Sequence, residues 1–145
     1  MFTRSIFKRL IVLCFIVTFA GNSMAKPPSQ SCLSGTWQNE LGSNVTLNHN
    51  CDGKLSGEYW SSVGTPGKEP SPLSGFSDPN SKSNTLGFIV SWNDGTSLTT
   101  WAGEYFCDDK PTIMTMWILS SSTGNPEDYW GSNRIGQDIF HRVTT

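Results

Sequence analysis

Residues 85–106 read TLGFIVSWNDGTSLTTWAGEYF, two alternating runs hinged at Asp94-Gly95. In an extended chain, successive side chains point to opposite faces. Phe88, Val90 and Trp92 therefore share one face of the first run, and Ser97, Thr99, Trp101 and Gly103 share one face of the second. Asp-Gly between such runs marks a turn. The indoles thus stand on the same face as the hydroxyls. A core filled only by its own side chains does not favour that mixture, because buried polar groups without partners are costly. A pocket for a ligand with a polar head and a flat apolar body needs both kinds of group.

The same alternation repeats along the chain. Strands are expected near 33–40, 43–49, 54–61, 70–76, 85–93, 97–106, 112–120 and 132–143. The breaks carry Gly, Pro, Asn or Asp, as at Leu41-Gly42, Asp52-Gly53, Gly64 to Gly67, Asp78-Pro79-Asn80 and Asp108 to Pro111. No long segment has a helical period. Eight short strands joined by tight turns define an all-β chain, a sandwich or an eight-stranded antiparallel up-and-down β-barrel. A barrel has no exposed edges, and eight strands leave room for one small ligand. The shared faces agree from strand to strand. Trp37 goes with Asn39; Leu55 and Gly57 with Tyr59 and Ser61; Ile113 and Thr115 with Trp117 and Leu119; Arg134 and Gly136 with Asp138 and Phe140. Trp37 reads as core at the closed end. Asp138, taken alone, also reads as a structural carboxylate paired with Arg134 or Tyr59.

The first residues belong to another problem. MFTRSIFKRL is basic, IVLCFIVTFA is apolar, and GNSMA ends in the small-x-small pattern Ser23-Met24-Ala25. This is the order of a secretory signal peptide over 1–25, with cleavage after Ala25. The apolar run is too short to span a bilayer comfortably, so no membrane partner is expected. KPPSQS, 26–31, reads as a flexible lead-in, and 32–145 as one domain. The expected location is secreted and extracellular. A net charge of −2 without a basic stripe argues against a nucleic-acid partner. The two histidines, His49 and His141, are too few and too scattered for a metal site or a catalytic triad. No nucleophile stands beside a base, so the chain does not read as an enzyme. Cys32, Cys51 and Cys107 remain after Cys14 leaves with the leader, enough for one disulfide and one spare thiol. Asn44-Val45-Thr46 is a glycosylation sequon at Asn44.

GTWQNELGSNVTL at 35–47 resembles the first strand, loop and second strand of the avidin and streptavidin family. GEYWSSVG from 57, SPLSG from 71, GFIVSW from 87, SLTTWAGEYF from 97, TMWIL from 115 and DYWGSNRIGQDIF from 128 continue the resemblance in order. It covers the whole chain beyond the leader. It implies a non-covalent biotin-binding protein with no cofactor, possessing the barrel that the strand pattern allows. The resemblance carries the roles residue by residue. Asn39, Ser43 and Tyr59 would donate to the ureido oxygen, and Ser61 and Asp138 would accept from the ureido N–H groups. Thr99 would meet the ring sulfur. Ser97 and the backbone of Thr65 would meet the carboxylate tail. Trp92, Trp101 and Trp117 would wall the ring system, with Leu41, Val63 and Leu119 completing the lining. Trp130 would close the pocket of a neighbouring subunit, which implies a homotetramer. The family's link between its first and sixth strands favours Cys32 with Cys107, while Cys51 with Cys107 stays open. Two departures stand out. Gly64 offers no hydroxyl where avidin has a threonine, and Asp94 replaces a phenylalanine at the pocket edge. A carboxylate there is expected to oppose the ligand's own. The resemblance also implies a physiological role in withholding biotin from microbes. A lipocalin-like carrier of another small hydrophobe is the alternative; it predicts a mostly apolar interior without the Asn39, Ser43 and Tyr59 set.

Overall fold

A computed structural model describes residues 32–63, 69–79 and 82–144. The expected leader (1–25), lead-in (26–31), Gly64 and Thr65 lie outside these residues. The chain forms β1 (Gly35–Asn39), β2 (Asn44–His49), β3 (Lys54–Trp60), β4 (Ser71–Ser77), β5 (Thr85–Trp92), β6 (Ser97–Phe106), β7 (Thr112–Ser121) and β8 (Asn133–Arg142). Each strand pairs antiparallel with the next, and β8 returns to β1, closing the barrel. This is the up-and-down barrel expected from the alternation, and the sandwich is set aside.

β6 has the expected bounds, and each of the other strands differs from expectation by one or two residues at one end or both. The expected start of β1 at residue 33 is wrong by two residues. Leu33 lies in the preceding turn, yet it is fully buried as part of the core. The breaks after β5 and β7 hold short 3-10 turns, Asn93–Gly95 and Pro126–Gly131. In the first, Asn93, Asp94 and Gly95 have φ of 49°, 56° and 87°. Asn and Asp tolerate that left-handed conformation better than other non-glycine residues. In the second, the Asn125 side chain accepts from the Asp128 N–H at 3.1 Å and Pro126 starts the turn.

The inward faces sort by height. Leu33, Trp37, Val45, Leu47, Leu55, Ile113 and Phe140 are at most 2% exposed and fill the closed end. Burying each large side chain stabilises the fold by about 1.5–3 kcal/mol. The Trp37 indole N–H donates to the Leu33 carbonyl at 3.0 Å. Arg142 lies over the Trp37 ring, 4.4 Å from its centroid, and donates to the carbonyls of Ser34 and Cys32. Gly35 leaves the room this guanidinium uses; a Cβ there would collide with it. A disulfide joins Cys32, ahead of β1, to Cys107, in the β6–β7 turn, while Cys51 is exposed and free. The closed end is therefore an apolar plug with a cationic and covalent cap. The polar inward residues lie at the other end, where the β1–β2, β3–β4, β5–β6 and β7–β8 connections meet.

Candidate functional site

The buried groups of the open end come from β1, β3, β6 and β8 and from the turn between β1 and β2. Asn39, Ser43, Tyr59, Thr99, Trp101 and Asp138 are all at most 5% exposed. Register places them side by side. Thr99 faces Val90 and Leu119 across its two neighbouring strands, Trp101 faces Phe88 and Trp117, and Asp138 faces Thr115. The rings form one group. Trp101 stacks on Phe88 at 4.9 Å between centroids and on Tyr59 at 5.1 Å. Trp92 meets Tyr59 edge-on at 5.4 Å. Gly136 lies opposite Trp117 in β7 and has the indole directly over it, where a Cβ would clash.

Hydrogen bonds fix the polarity of this group. The Asn39 side-chain oxygen accepts from the backbone N–H groups of Leu41 and Ser43 at 3.1 and 2.9 Å. Two donors on that atom require it to be the oxygen, so the amide NH2 points inward. One of its hydrogens reaches Asp138 Oδ1 at 3.2 Å, and the other remains for a ligand. The Trp92 indole donates to Thr99 Oγ1 at 2.8 Å, which leaves the Thr99 hydroxyl hydrogen to donate. Ser61 is set the other way: its hydroxyl donates to the Val63 carbonyl at 2.9 Å and keeps acceptor capacity. Ser43 Oγ accepts from the Ser62 N–H at 3.0 Å and lies beside the Tyr59 hydroxyl.

Asp138 is the only buried charged side chain of this group. Trp101 Nε1 donates to its Oδ2 at 2.8 Å. Burial raises its carboxyl above the ordinary range, the bonds from Trp101 and Asn39 oppose that shift, and the nearby charge of Glu40 adds to it. Burial, and then the charge of Asp138, push the Tyr59 phenol far above its usual value. Tyr59 therefore keeps its phenolic proton. The partners of Asp138 are Asn39 and Trp101, not the Arg134 or Tyr59 that the sequence alone offered. Arg134 is four residues nearer the mouth, about 13 Å along an extended strand, and is exposed.

The remaining expected residues ring the mouth. Ser61, Trp92, Ser97, Trp117 and Leu119 are half-buried, while Leu41 and Val63 are more than half exposed in their loops. Trp130 is 85% exposed, in the turn before β8, and is not part of this chain's own buried group. Asn44 faces outward and accepts from Gln38 Nε2 at 3.2 Å. Two participants went unseen in the sequence. Ser62 bridges Ser43 to the Leu41 carbonyl, because β3 ends at Trp60 and strict alternation no longer applies. Glu40 reaches across to β8, a contact between residues 99 apart in sequence.

A closed barrel plugged at one end, with an aromatic and oriented polar lining at the other, defines a protein that holds one small ligand. A mostly apolar carrier interior of the lipocalin kind does not describe this lining. The Avidin family model matches residues 27–143. Avidin of Gallus gallus is 38% identical over 120 residues, covering 78% of this chain and 79% of that protein. Avidin-related protein 4/5 of Gallus gallus is 32% identical over 140 residues, covering 93% of each. The crystal structure of xenavidin superposes with a TM-score of 0.71 at 32% identity, covering 79% of this chain and 100% of that one. The chain belongs to the avidin family, a family of binding proteins and not of enzymes.

Proposed function

We propose that the protein binds biotin non-covalently in the open end of its barrel, one molecule per chain. The observation that carries this reading is the polarity of the buried group around Asp138. A urea presents one acceptor oxygen and two N–H donors. Asn39 and Tyr59 offer hydrogens toward one side, where the Ser43 hydroxyl, 3.1 Å from Ser62 Oγ in the free protein, would turn to join them, and Ser61 and Asp138 offer lone pairs toward the other. Several donors on one oxygen favour charge build-up on it, which strengthens every bond to it. Thr99, with its hydroxyl hydrogen free, suits a sulfur acceptor. Trp92, Trp101 and Trp117, with Leu41, Val63 and Leu119, supply contact for the ring and tail. Ser97 and the backbone N–H of Thr65 would meet the carboxylate.

The assembly reading is a homotetramer. Its support is the apolar outer surface of β7 and β8, where Met114, Met116, Ile118 and Ile135 are about half exposed or more, together with the protruding Trp130. A second copy of the chain is the occupant that hides this surface and places Trp130 over its neighbour's mouth. Secretion after cleavage at Ala25, a barrel domain over 32–145, glycosylation at the outward Asn44 and withholding of biotin from microbes complete the proposal.

The test is a titration of the mature protein with biotin, followed by tryptophan fluorescence and calorimetry. Saturation near one biotin per chain, with quenching or a blue shift of the indoles, is the expected result. A folded barrel that shows neither heat nor a fluorescence change would refute the reading.

A further inference from the structure

The barrel seam between β1 and β8 is short, and its last link is not backbone. β1 pairs with only three residues of β8: Trp37 with Arg142, Gln38 with His141 and Asn39 with Phe140. Above Phe140 the chain of β1 turns away into the hairpin to β2. Along β8 and the residue that follows it, the N–H groups that face β1 belong to alternate residues, as the Val143 N–H, just past the strand, shows by donating to the Thr36 carbonyl at 2.9 Å. The next such N–H beyond His141 is that of Ile139, and it meets no strand. It donates instead to Glu40 Oε2 at 3.1 Å. One side-chain carboxylate thus extends the ladder by a rung, at the residue after Asp138.

We propose that Glu40 is a positioning residue: its carboxylate clips the upper part of β8 to β1 and so holds Asp138 at the height where a ligand N–H meets it. This inference rests on the reading that Asp138 faces the ligand. The clip has a second consequence, because it places a negative charge beside Asp138. The groups that face Asp138 are Asn39 from β1, Glu40 from the β1–β2 turn, Tyr59 from β3, Trp101 from β6, and Thr115 and Trp117 from β7. Along β8 the nearest charge is Arg134, exposed at the mouth. Of these, Glu40 is the one whose charge raises the proton affinity of Asp138. The residue that positions the acceptor therefore also makes it easier to protonate.

Two substitutions separate the effects. Glu40→Gln keeps an oxygen for the Ile139 N–H and removes the charge. Glu40→Ala removes both. Without ligand, amide exchange of Ile139 should accelerate in Glu40→Ala by roughly three- to tenfold, the loss of one hydrogen bond, and Glu40→Gln should rescue most of it. The Trp101 indole N–H resonance reports protonation of Asp138, and its midpoint should move to lower pH in both variants. With biotin, release should quicken in Glu40→Ala by a similar factor and return toward the parent rate in Glu40→Gln. Parent-like Ile139 exchange in Glu40→Ala, or an unmoved Trp101 midpoint in Glu40→Gln, overturns the proposal. These two readouts need no ligand, so they stand apart from a failure of the biotin reading, which would appear as an unresponsive parent protein.

Discussion

Replacing Asp138 by alanine removes the acceptor on which the proposed site turns. In the free protein the carboxylate takes bonds from Trp101 Nε1 at 2.8 Å and Asn39 Nδ2 at 3.2 Å. A carboxylate has about four lone-pair directions, so capacity remains for a ligand N–H between these two donors. A hydrogen bond to a charged partner contributes about 1.5–3 kcal/mol, which is roughly a ten- to 150-fold loss of affinity when it is deleted. Asn39 adds to the loss, because its inward NH2 is held partly by Asp138. The loss should appear mainly as faster release, since the mouth is unchanged. Asp138→Asn is the companion variant. It keeps one acceptor oxygen of similar shape, so it should lose less than Asp138→Ala and should bind with little pH dependence below neutrality. The assay is displacement of a labelled biotin by excess unlabelled biotin, run on variants whose circular dichroism shows the barrel intact. An Asp138→Ala protein that releases biotin at the parent rate would refute the role given to this carboxylate.

Four other outcomes are expected. Affinity should fall as pH drops through the raised pKa of Asp138, because a ligand N–H needs the ionised form; calorimetry across acidic pH checks this. The sign for folding is opposite: with its folded pKa above its unfolded one, ionised Asp138 opposes folding of the free protein, and that penalty fades as pH falls through the folded value. Trp130→Lys should weaken subunit association and biotin binding together, read by sedimentation and release rates, since the residue is 85% exposed on its own chain. Cys32→Ser should lower stability by about 4.5 kcal/mol in a denaturant titration, the chain-entropy value for a link across 75 residues. Gly136→Ala should push the Trp117 indole out of its place and speed biotin release, with a matching change in tryptophan fluorescence.

Much of this architecture was legible because a barrel interior obeys a period of two. Tyr59, Trp101 and Asp138 fall on inward positions of three strands far apart in sequence, and alternation alone placed them there. What alternation could not reach was the connections. Ser62 carries the parity of an outward residue, yet it turns toward Ser43 once β3 ends at Trp60. Asn93 and Asp94 adopt positive φ, so the hairpin at Asp94-Gly95 is a left-handed turn and not merely a break. The partners of Asp138 were missed for a different reason. The sequence suggests charge pairing first, which points to Arg134. Strand height decides otherwise, placing Arg134 at the solvent edge and the indole of Trp101 beside the carboxylate. Arg142 was likewise silent in the sequence. Its role over Trp37 exists only because β8 ends where β1 begins.

The two ends of the barrel solve different problems with the same strands. At the closed end Trp37, Leu47, Ile113 and Phe140 exclude water completely, and the disulfide and Arg142 hold the lip shut. That end supplies rigidity without any need for polarity. At the open end the polar groups are held before a ligand arrives. The Asn39 oxygen is occupied by two backbone N–H groups, the Ser61 hydrogen by the Val63 carbonyl, and the Thr99 lone pair by the Trp92 indole. These bonds leave the Asn39 side chain to donate through its NH2 and the Ser61 hydroxyl to accept, while the bond from Trp92 takes one of the two Thr99 lone pairs and leaves its hydrogen free to donate. A hydroxyl free to rotate would greet a donor or an acceptor equally; one with its hydrogen already committed can only accept. Preorganised polarity of this kind lowers the ordering that binding requires and penalises a ligand with the reversed pattern of donors and acceptors. On the proposed reading, selectivity for a urea-like head resides as much in the bonds behind the lining as in the lining itself.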